Sequence, residues 1–162
     1  MALVRGRVRK FGDNIDTDTI TPGPVLTLSM EEMAKHAFEP VVPEFYKTVH
    51  KGDIILGGGN FGCGSSREQA TAVVKELGIE FVVAESMARI YLRNCVALGV
   101  YPVLSRGTSV LFEEGDEIEI DTDKGEVRNP KTGKSASFEP LSGALKEIVE
   151  AGGIWPVLKK MC

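Results

Sequence analysis

Apolar and polar positions alternate at the start of the chain, and continuous apolar runs and helical spacings follow. Residues 3–11 alternate between apolar and basic side chains, which predicts a strand. The runs at residues 53–56 and 79–84 are typical of strands that are buried on both faces. Between these runs, apolar residues at helical spacing predict an amphipathic helix: Ala70, Val73, Val74 and Leu77. This succession indicates an α/β fold with a sheet that is at least partly parallel.

The remaining elements follow from the same patterns and from turn-forming residues. We expect a loop over Asp16–Ser29, because two prolines and a glycine interrupt regular structure there, and a helix over Met30–Ala37. The later predicted elements are a helix over Ala88–Leu98, a strand over Tyr101–Leu104, an antiparallel edge strand over Gly115–Asp121, a hairpin over Gly125–Phe138, and helices over Ser142–Ala151 and Ile154–Met161. A single domain is expected over residues 1–162.

A glycine-rich segment lies where the predicted second strand gives way to the helix, and it is the strongest chemical signal in the chain. Five glycines occur between Gly57 and Gly64, directly ahead of Ser65, Ser66 and Arg67. Glycines let backbone N–H groups approach a ligand closely, and a helix N-terminus adds unpaired donors. The segment therefore predicts a site for a carboxylate or a phosphate.

Helix capping is the competing interpretation of the two serines. Ser65 with Glu68, or Ser66 with Gln69, has the spacing of a capping box, in which two side chains satisfy free backbone amides. Capping by one serine leaves the other free for chemistry. It does not explain Arg67, because the positive end of the helix dipole disfavours a cation in the first turn.

Composition and charge exclude several classes of protein. The 162 residues carry a net charge of −4 without a basic stripe, which argues against nucleic-acid binding. No apolar run is long enough to span a membrane, and residues 1–7 lack a signal sequence, so a cytoplasmic protein is expected. Three cysteines without C-x-x-C spacing argue against a disulfide framework and against a metal site on this chain: Cys63, Cys95 and Cys162.

Three strings of residues together resemble the aconitase superfamily. They are Asp16-Thr17-Asp18, the string F-G-C-G-S-S-R-E over Phe61–Glu68, and the string over Ser86–Asn94. The resemblance is closest to the separate small subunits of the isopropylmalate isomerase and homoaconitase type. It implies an α/β fold, namely an aconitase-like swivelling β/β/α domain with a mixed, partly parallel sheet. It also implies a hydro-lyase of leucine biosynthesis whose large subunit holds a [4Fe–4S] cluster, while this chain binds no metal.

The same resemblance assigns roles to the residues after the glycines. Ser65 is implied to be the base that removes a carbon-bound proton, as an alkoxide stabilised by loop N–H groups, the helix end and Arg67. Arg67 is implied to pair with a substrate carboxylate, and Ser66 to donate a further hydrogen bond. The resemblance implies three further residues that orient Ser65, Ser66 and Arg67 without contacting the substrate: Thr17, Asp18 and Glu68. A role for Asp18 in a turn or as a helix N-cap is an equal alternative.

Substrate preference in this family is implied to depend on the loop after Gly23. Homoaconitase-like chains have an arginine in this loop for a third carboxylate, and Thr27 lies near that position here. A tricarboxylate would leave a desolvated carboxylate unpaired, whereas an apolar branch would pack well. The predicted substrate-contacting loop residues are Val25, Leu26, Thr27 and Leu28. A small branched dicarboxylate is expected, isopropylmalate first, and homoaconitate, citraconate or citramalate, and 2,3-dimethylmalate remain open.

Two interpretations outside this chemistry also remain open from the sequence. A phosphate- or nucleotide-binding module would use the glycine loop alone, although the lysine of the pattern G-x-x-x-x-G-K-[ST] is missing. A purely structural subunit would use its serines only to cap a helix. The sequence also leaves open whether the isolated chain forms a homo-oligomer.

Overall fold

The computed structural model describes residues 3–162, in which one seven-stranded sheet is packed against helices. Met1 and Ala2, which belong to the segment predicted to lack a signal sequence, lie outside the described residues. The strands are β1 (Leu3–Lys10), β2 (Ile54–Leu56), β3 (Phe81–Ala84), β4 (Tyr101–Leu104), β5 (Glu117–Asp121), β6 (Glu126–Arg128) and β7 (Ser135–Ser137). The α-helices are α1 (Thr17–Ile20), α2 (Met30–Ala34), α3 (Phe45–Thr48), α4 (Gln69–Glu76), α5 (Arg89–Leu98), α6 (Gly143–Glu150) and α7 (Ile154–Met161).

The sheet changes from parallel to antiparallel pairing at β1. Its strand order is β4-β3-β2-β1-β5-β6-β7, and β1 pairs in parallel with β2 but antiparallel with β5. The strands β3 and β4 continue the parallel half, whereas β6 and β7 continue the antiparallel half. The predicted mixed, partly parallel sheet is therefore confirmed.

The prediction that residues 115–121 form an edge strand is wrong, because β5 lies between β1 and β6. Its polar residue Glu119 is only 9% exposed. Two guanidinium groups neutralise this carboxylate, with Arg5 Nε and Arg128 Nη1 each 2.8 Å from one of its oxygens. Ion pairing with neighbouring strands therefore lets a polar position of the alternating pattern lie inside the sheet.

Alternate residues of the parallel strands point into two separate hydrophobic cores. Ile55 and Val82 lie in a core that includes residues of α2, α4 and α5, whereas Leu56 and Val83 lie in a core that includes residues of β5 and β6. All four side chains are fully buried. This arrangement confirms the prediction that these strands are buried on both faces.

The segment predicted as a loop over Asp16–Ser29 contains two short helical pieces, so that prediction is partly wrong. Helix α1 occupies four residues, and a 3₁₀ turn follows at Gly23–Val25. The Asp16 carboxylate caps α1 by accepting a hydrogen bond from the Thr19 N–H at 2.7 Å. The capping side chain thus stabilises one helical turn before the prolines interrupt it.

Most of the other helices agree with the sequence prediction in position, and α7 also agrees in length. Helices α5, α6 and α7 lie in their predicted segments, whereas α2 ends at Ala34 instead of Ala37. Helix α4 begins only at Gln69, three or four residues after the serines that were expected to cap it. Within residues 3–162, no helix combines the length and apolar content needed to cross a membrane.

A close backbone contact holds the glycine-rich segment against α5. Gly62 has φ +78°, and a Cβ atom at this position would lie 2.2 Å from Cγ of Tyr91. Tyr91 is fully buried, its ring meets that of Phe61 edge-on with 5.5 Å between centroids, and its hydroxyl donates to the Ala70 carbonyl at 3.2 Å. Only glycine satisfies both this backbone conformation and this contact.

A charged cluster joins β1 to the residue that precedes β2. Asp53 is buried, and its carboxylate accepts hydrogen bonds from Arg7 Nη2 at 2.6 Å, from Arg7 Nε at 3.2 Å and from the His50 N–H at 2.8 Å. Burial opposes the ionisation of Asp53, but these hydrogen bonds outweigh it, so its pKa lies below the ordinary value of 3.8. Asp53 therefore stabilises the fold at every pH at which its carboxylate is ionised.

Replacing Gly62 with alanine is expected to lower the free energy of unfolding by about 2 to 5 kcal/mol, because the methyl group meets Tyr91 and the left-handed backbone is strained. Urea denaturation followed by circular dichroism measures the change. Gly12→Ala is the matched control, since Gly12 has open space around its Cβ position and does not have positive φ. Equal stabilities of the two variants would contradict the proposed contact.

Replacing Asp53 with asparagine is expected to lower the free energy of unfolding at neutral pH by about 2 kcal/mol, because Arg7 loses a charged acceptor. Since the folded pKa is lowered, the contribution of the carboxylate is complete above the unfolded value near 3.8 and disappears as the pH falls through the folded value. The stability difference between wild type and Asp53→Asn should therefore narrow below about pH 4. Urea unfolding across a pH series measures it.

Glu139→Gln serves as the control for this series, because Glu139 is an exposed carboxylate. This variant should follow the wild-type stability at each pH. A stability difference for Asp53→Asn that stays constant into strong acid would show that the ionised carboxylate is not what stabilises the fold.

Candidate active site

Three loops meet at the carboxyl ends of the parallel strands, where α/β sheets commonly bind ligands. The loop after β1 meets the loop after β2 through a hydrogen bond from the Gly62 N–H to the Ile15 carbonyl, at 2.7 Å. The loop after β2 meets the loop after β3 through a hydrogen bond from the Phe61 N–H to the Ser86 carbonyl, at 3.0 Å. The glycine-rich segment is therefore the middle of the three.

Most backbone amides of the glycine-rich segment already donate hydrogen bonds inside the protein. The donor and acceptor pairs are Gly57 with Val83 O, Gly58 with Gly12 O, Gly59 with Asp13 Oδ1, Asn60 with Ser86 Oγ, Phe61 with Ser86 O, and Gly62 with Ile15 O. The prediction that these amides cradle an anion is therefore wrong for residues 57–62. The absence of side chains serves packing instead, since a Cβ atom on Gly58 would lie 2.0 Å from Asp13 Oδ1.

The two loop residues Asp13 and Ser86 are structural contributors that the sequence analysis missed. Asp13 follows β1 and Ser86 follows β3, and their side chains hold the Gly59 and Asn60 amides, each at 2.8 Å. Asp13 lies in the sequence Gly12-Asp13-Asn14, which is typical of a turn, and Ser86 begins the third of the family strings. Neither signal indicates which distant backbone the side chain contacts.

Neither serine caps α4, so the capping prediction is wrong. The residue before the helix is Glu68, which has helical backbone angles and makes no capping hydrogen bond. Gly64, with φ +102°, turns the chain so that Ser65 meets the loop after β1 instead of the helix end. Arg67 consequently precedes the helix and does not sit in its first turn. Both hydroxyl groups are free of a capping role and belong to exposed residues.

Ser65 is paired with Thr17 of α1. The Ser65 Oγ and Thr17 Oγ1 atoms lie 3.1 Å apart, and the Ser65 N–H donates to Thr17 Oγ1 at 3.2 Å. Thr17 is only 2% exposed, and its own N–H donates to the Cys63 carbonyl at 2.8 Å. The buried Thr17 hydroxyl therefore fixes the position of the exposed Ser65 hydroxyl.

Arg67 is paired with Asp18, the residue next to Thr17. Its Nη1 atom contacts the Asp18 carboxylate and also donates to the Thr21 carbonyl at 3.2 Å. The Arg67 side chain is 23% exposed, whereas that of Asp18 is 68% exposed. The Nη2 atom lies 3.7 Å from where a Cβ of Gly23 would be, at the start of the 3₁₀ turn. The alternative N-cap role predicted for Asp18 belongs to Asp16.

The remaining predicted site residues lie at different depths. Val25 and Leu26 are half-buried against the core that contains α4, whereas Thr27 and Leu28 are exposed. Glu68 is exposed, and its side chain makes no hydrogen bond within residues 3–162, whereas its carbonyl accepts from the Thr71 and Ala72 N–H groups. Of the four predicted loop residues, only the last two therefore present their side chains fully to the outside.

No metal centre is formed by the described part of the chain. Within residues 3–162, no group of three or more His, Cys, Asp or Glu side chains is placed to hold a metal ion. The three cysteines are unpaired: Cys63 is half-buried, Cys95 is buried and Cys162 is exposed. Burial raises the pKa of the Cys95 thiol, which makes it an inert core residue.

Comparison with known proteins places this arrangement in one family. The sequence matches the Aconitase C-terminal domain over residues 6–106. It is 45% identical over 160 residues to the isopropylmalate/citramalate isomerase small subunit of Methanocaldococcus jannaschii, covering 98% of this chain and 95% of that one. It is 44% identical over 153 residues to the methanogen homoaconitase small subunit of Methanothermobacter thermautotrophicus, covering 94% and 88%.

A solved structure agrees with these sequence matches. The crystal structure of 3-isopropylmalate dehydratase (leuD) from Methanocaldococcus jannaschii superposes with a TM-score of 0.90 at 42% identity, covering 98% of this chain and 95% of that one. The resemblance stated from the sequence is confirmed, as is the fold class. This chain, with its serines and arginine set against the Asp-Thr-Asp string, belongs to the aconitase family.

Proposed function

We propose that this chain is the small subunit of a hydro-lyase that interconverts 2- and 3-isopropylmalate together with a large subunit. The observation that carries the proposal is the meeting of two strings far apart in sequence, with Ser65 on Thr17 and Arg67 on Asp18. This convergence lies at the carboxyl edge of a sheet whose fold matches a 3-isopropylmalate dehydratase. Relatives named as small subunits of isopropylmalate enzymes support the same assignment.

Ser65 acts as the base in this proposal. Its alkoxide takes a proton from the carbon next to a substrate carboxylate, the C–H electron pair forms the C=C bond, and the hydroxyl group leaves the neighbouring carbon. The group leaves as hydroxide; when hydroxide adds to the other carbon of the double bond, Ser65 returns its proton to the carbon that lost the hydroxyl group and becomes an alkoxide again, so the chain is unchanged after each cycle. The exposed position of Ser65 lets a substrate held against this face reach the oxygen.

Arg67 and Ser66 bind the substrate in this proposal. Arg67 uses one nitrogen for Asp18 and Thr21, so the rest of its planar guanidinium group is available to a carboxylate. Ser66 makes no hydrogen bond within residues 3–162 and is exposed beside Ser65, where its hydroxyl can donate to the same ligand. Asp18 holds the arginine in place, because a carboxylate partner restrains the long side chain.

The iron–sulfur cluster expected for this family belongs to the large subunit in this proposal. The described residues do not fit such a group, since they form no cluster of His, Cys, Asp or Glu side chains. When bound in the partner, a [4Fe–4S] cluster supplies a Lewis acid for the leaving hydroxyl group. This chain contributes the base and the carboxylate-binding residues.

The loop after Gly23 favours a dicarboxylate with an apolar branch. Its exposed residues are Pro24, Thr27, Leu28 and Ser29, and residues 22–29 contain no arginine or lysine. A third carboxylate would therefore lie unpaired beside this loop, whereas a branched alkyl group would pack on Leu28. Homoaconitase is the second candidate function, since a methanogen homoaconitase small subunit is nearly as similar as the isopropylmalate relatives.

A phosphate-binding module receives little support from the geometry. Such a module needs backbone amides that point at the ligand, but those of residues 57–62 donate to the neighbouring loops. A subunit whose serines only cap a helix is likewise unsupported, because neither serine caps α4.

Ser65→Ala is expected to lower turnover of the complex by about 10² to 10⁴-fold, because the base is removed. The assay is anaerobic interconversion of 2- and 3-isopropylmalate by this chain mixed with a large subunit reconstituted with iron and sulfide. Complex formation and thermal stability should stay near wild type, since Ser65 does not cap a helix. Ser142→Ala is the control at an exposed serine that makes no capping hydrogen bond. Full turnover by Ser65→Ala would refute the assigned base.

Thr27→Arg is expected to shift the ratio of kcat/KM for homoaconitate over isopropylmalate upward by at least about tenfold, because the new cation pairs with the third carboxylate. The measurement uses the reconstituted complex on isopropylmalate, citraconate, 2,3-dimethylmaleate and homoaconitate. Thr132→Arg is the control, since Thr132 is exposed in the distant β6–β7 hairpin. An unchanged ratio would show that this loop does not set specificity.

A further inference from the structure

We infer that the Thr17 hydroxyl is the hydrogen-bond donor that holds the Ser65 oxygen in its reactive, deprotonated form. The inference rests on the proposed function of Ser65 as the base. It assigns to Thr17 a specific chemical task, which is to direct one O–H at the atom that takes the proton. Thr17 touches no substrate in this assignment and acts through Ser65, so it is a positioning residue.

The direction of the Thr17 proton follows from the two contacts that its oxygen makes. The Ser65 N–H donates to Thr17 Oγ1 at 3.2 Å, so this oxygen is already an acceptor toward the Ser65 backbone. A threonine hydroxyl has one proton and two lone pairs, and the Ser65 Oγ atom lies 3.1 Å away. Deprotonated Ser65 can only accept, so Thr17 must be the donor of that second bond.

A serine alkoxide needs such a donor because an unperturbed hydroxyl is a very weak acid. The amides of residues 57–62 are engaged with neighbouring loops and give it no hydrogen bond. Helix α4 begins four residues later, and the charge of Arg67 is partly offset by Asp18. Thr17 is the side-chain donor already within hydrogen-bond distance of Ser65 Oγ.

The surroundings of Thr17 keep this donor fixed and shielded from water. Its N–H donates to the Cys63 carbonyl, and its carbonyl accepts from the Thr21 N–H, each at 2.8 Å. Only 2% of the residue is exposed. A Cβ on Gly64 would lie 3.2 Å from Thr17 Oγ1, so the glycine allows the loop to approach this hydroxyl closely. A fixed, buried dipole stabilises charge more effectively than mobile water does.

The test replaces Thr17 with valine, which keeps the shape and removes the hydroxyl, in the reconstituted complex acting on 3-isopropylmalate. We expect kcat to fall about 10² to 10³-fold, with KM changed by less than about threefold. The rising limb of kcat with pH should move to higher pH, because the alkoxide has lost a stabilising donor. Thr17→Ser restores the hydroxyl and should recover most of the loss. Thr71→Val, at a buried threonine of α4, is the matched control.

The outcomes separate this inference from the proposed function. If Ser65→Ala abolishes turnover while Thr17→Val keeps it, the inference fails and the assigned base stands. If Ser65→Ala keeps turnover, Ser65 is not the base. The proposed function then fails, and the inference that rests on it fails as well. Equal losses in Thr17→Val and Thr17→Ser without a shift of the pH limb would identify a merely structural role and overturn the inference. Should Thr17→Val not fold, Thr17→Ala removes the same hydroxyl and carries the same test.

Discussion

The backbone contact between Asp16 and Cys63 is the interaction on which the candidate site depends. These residues form a parallel bridge beyond the ends of β1 and β2, secured by the hydrogen bond from the Thr17 N–H to the Cys63 carbonyl. It extends the pairing of two neighbouring strands into the loops that follow them. Residues that are 48 or 49 positions apart in sequence therefore meet, Thr17 with Ser65 and Asp18 with Arg67. A shift of either loop would separate both pairs at once.

The elements that the sequence predicted well are those with a periodic pattern, such as the buried runs that became β2 and β3. The elements that it missed depend on contacts between distant residues. The Ser65 and Glu68 spacing fits a capping box, but Thr17 competes for the serine, so the helix begins later. The alternation around Glu119 suggests an edge, but two guanidinium groups make its burial possible. The three family strings identified the residues of the candidate site. Only the structure shows that most glycine N–H groups already donate hydrogen bonds inside the protein.

The site combines buried supports with exposed functional groups, and this combination has an electrostatic consequence. Thr17 and Tyr91 are buried, whereas Ser65 and Ser66 are exposed. Water around an exposed serine would protonate an alkoxide and screen the charge of Arg67. The proposed chemistry therefore requires a second surface that covers this face and excludes water. In the proposed complex, the large subunit would supply such a surface.

The position of β1 at the centre of the sheet also bears on how the protein is made. Residues 4 and 120 are neighbours in the sheet, so β1 leaves the ribosome long before the antiparallel strand with which it pairs. Until then one side of β1 presents unpaired backbone groups, and Val8, which lies in the core with Ile118, lacks that cover. Such long-range pairing is slow to form and leaves nascent chains open to association with one another. The basic residues that alternate along β1 give that open edge a charge, which keeps nascent copies apart while they wait for β5.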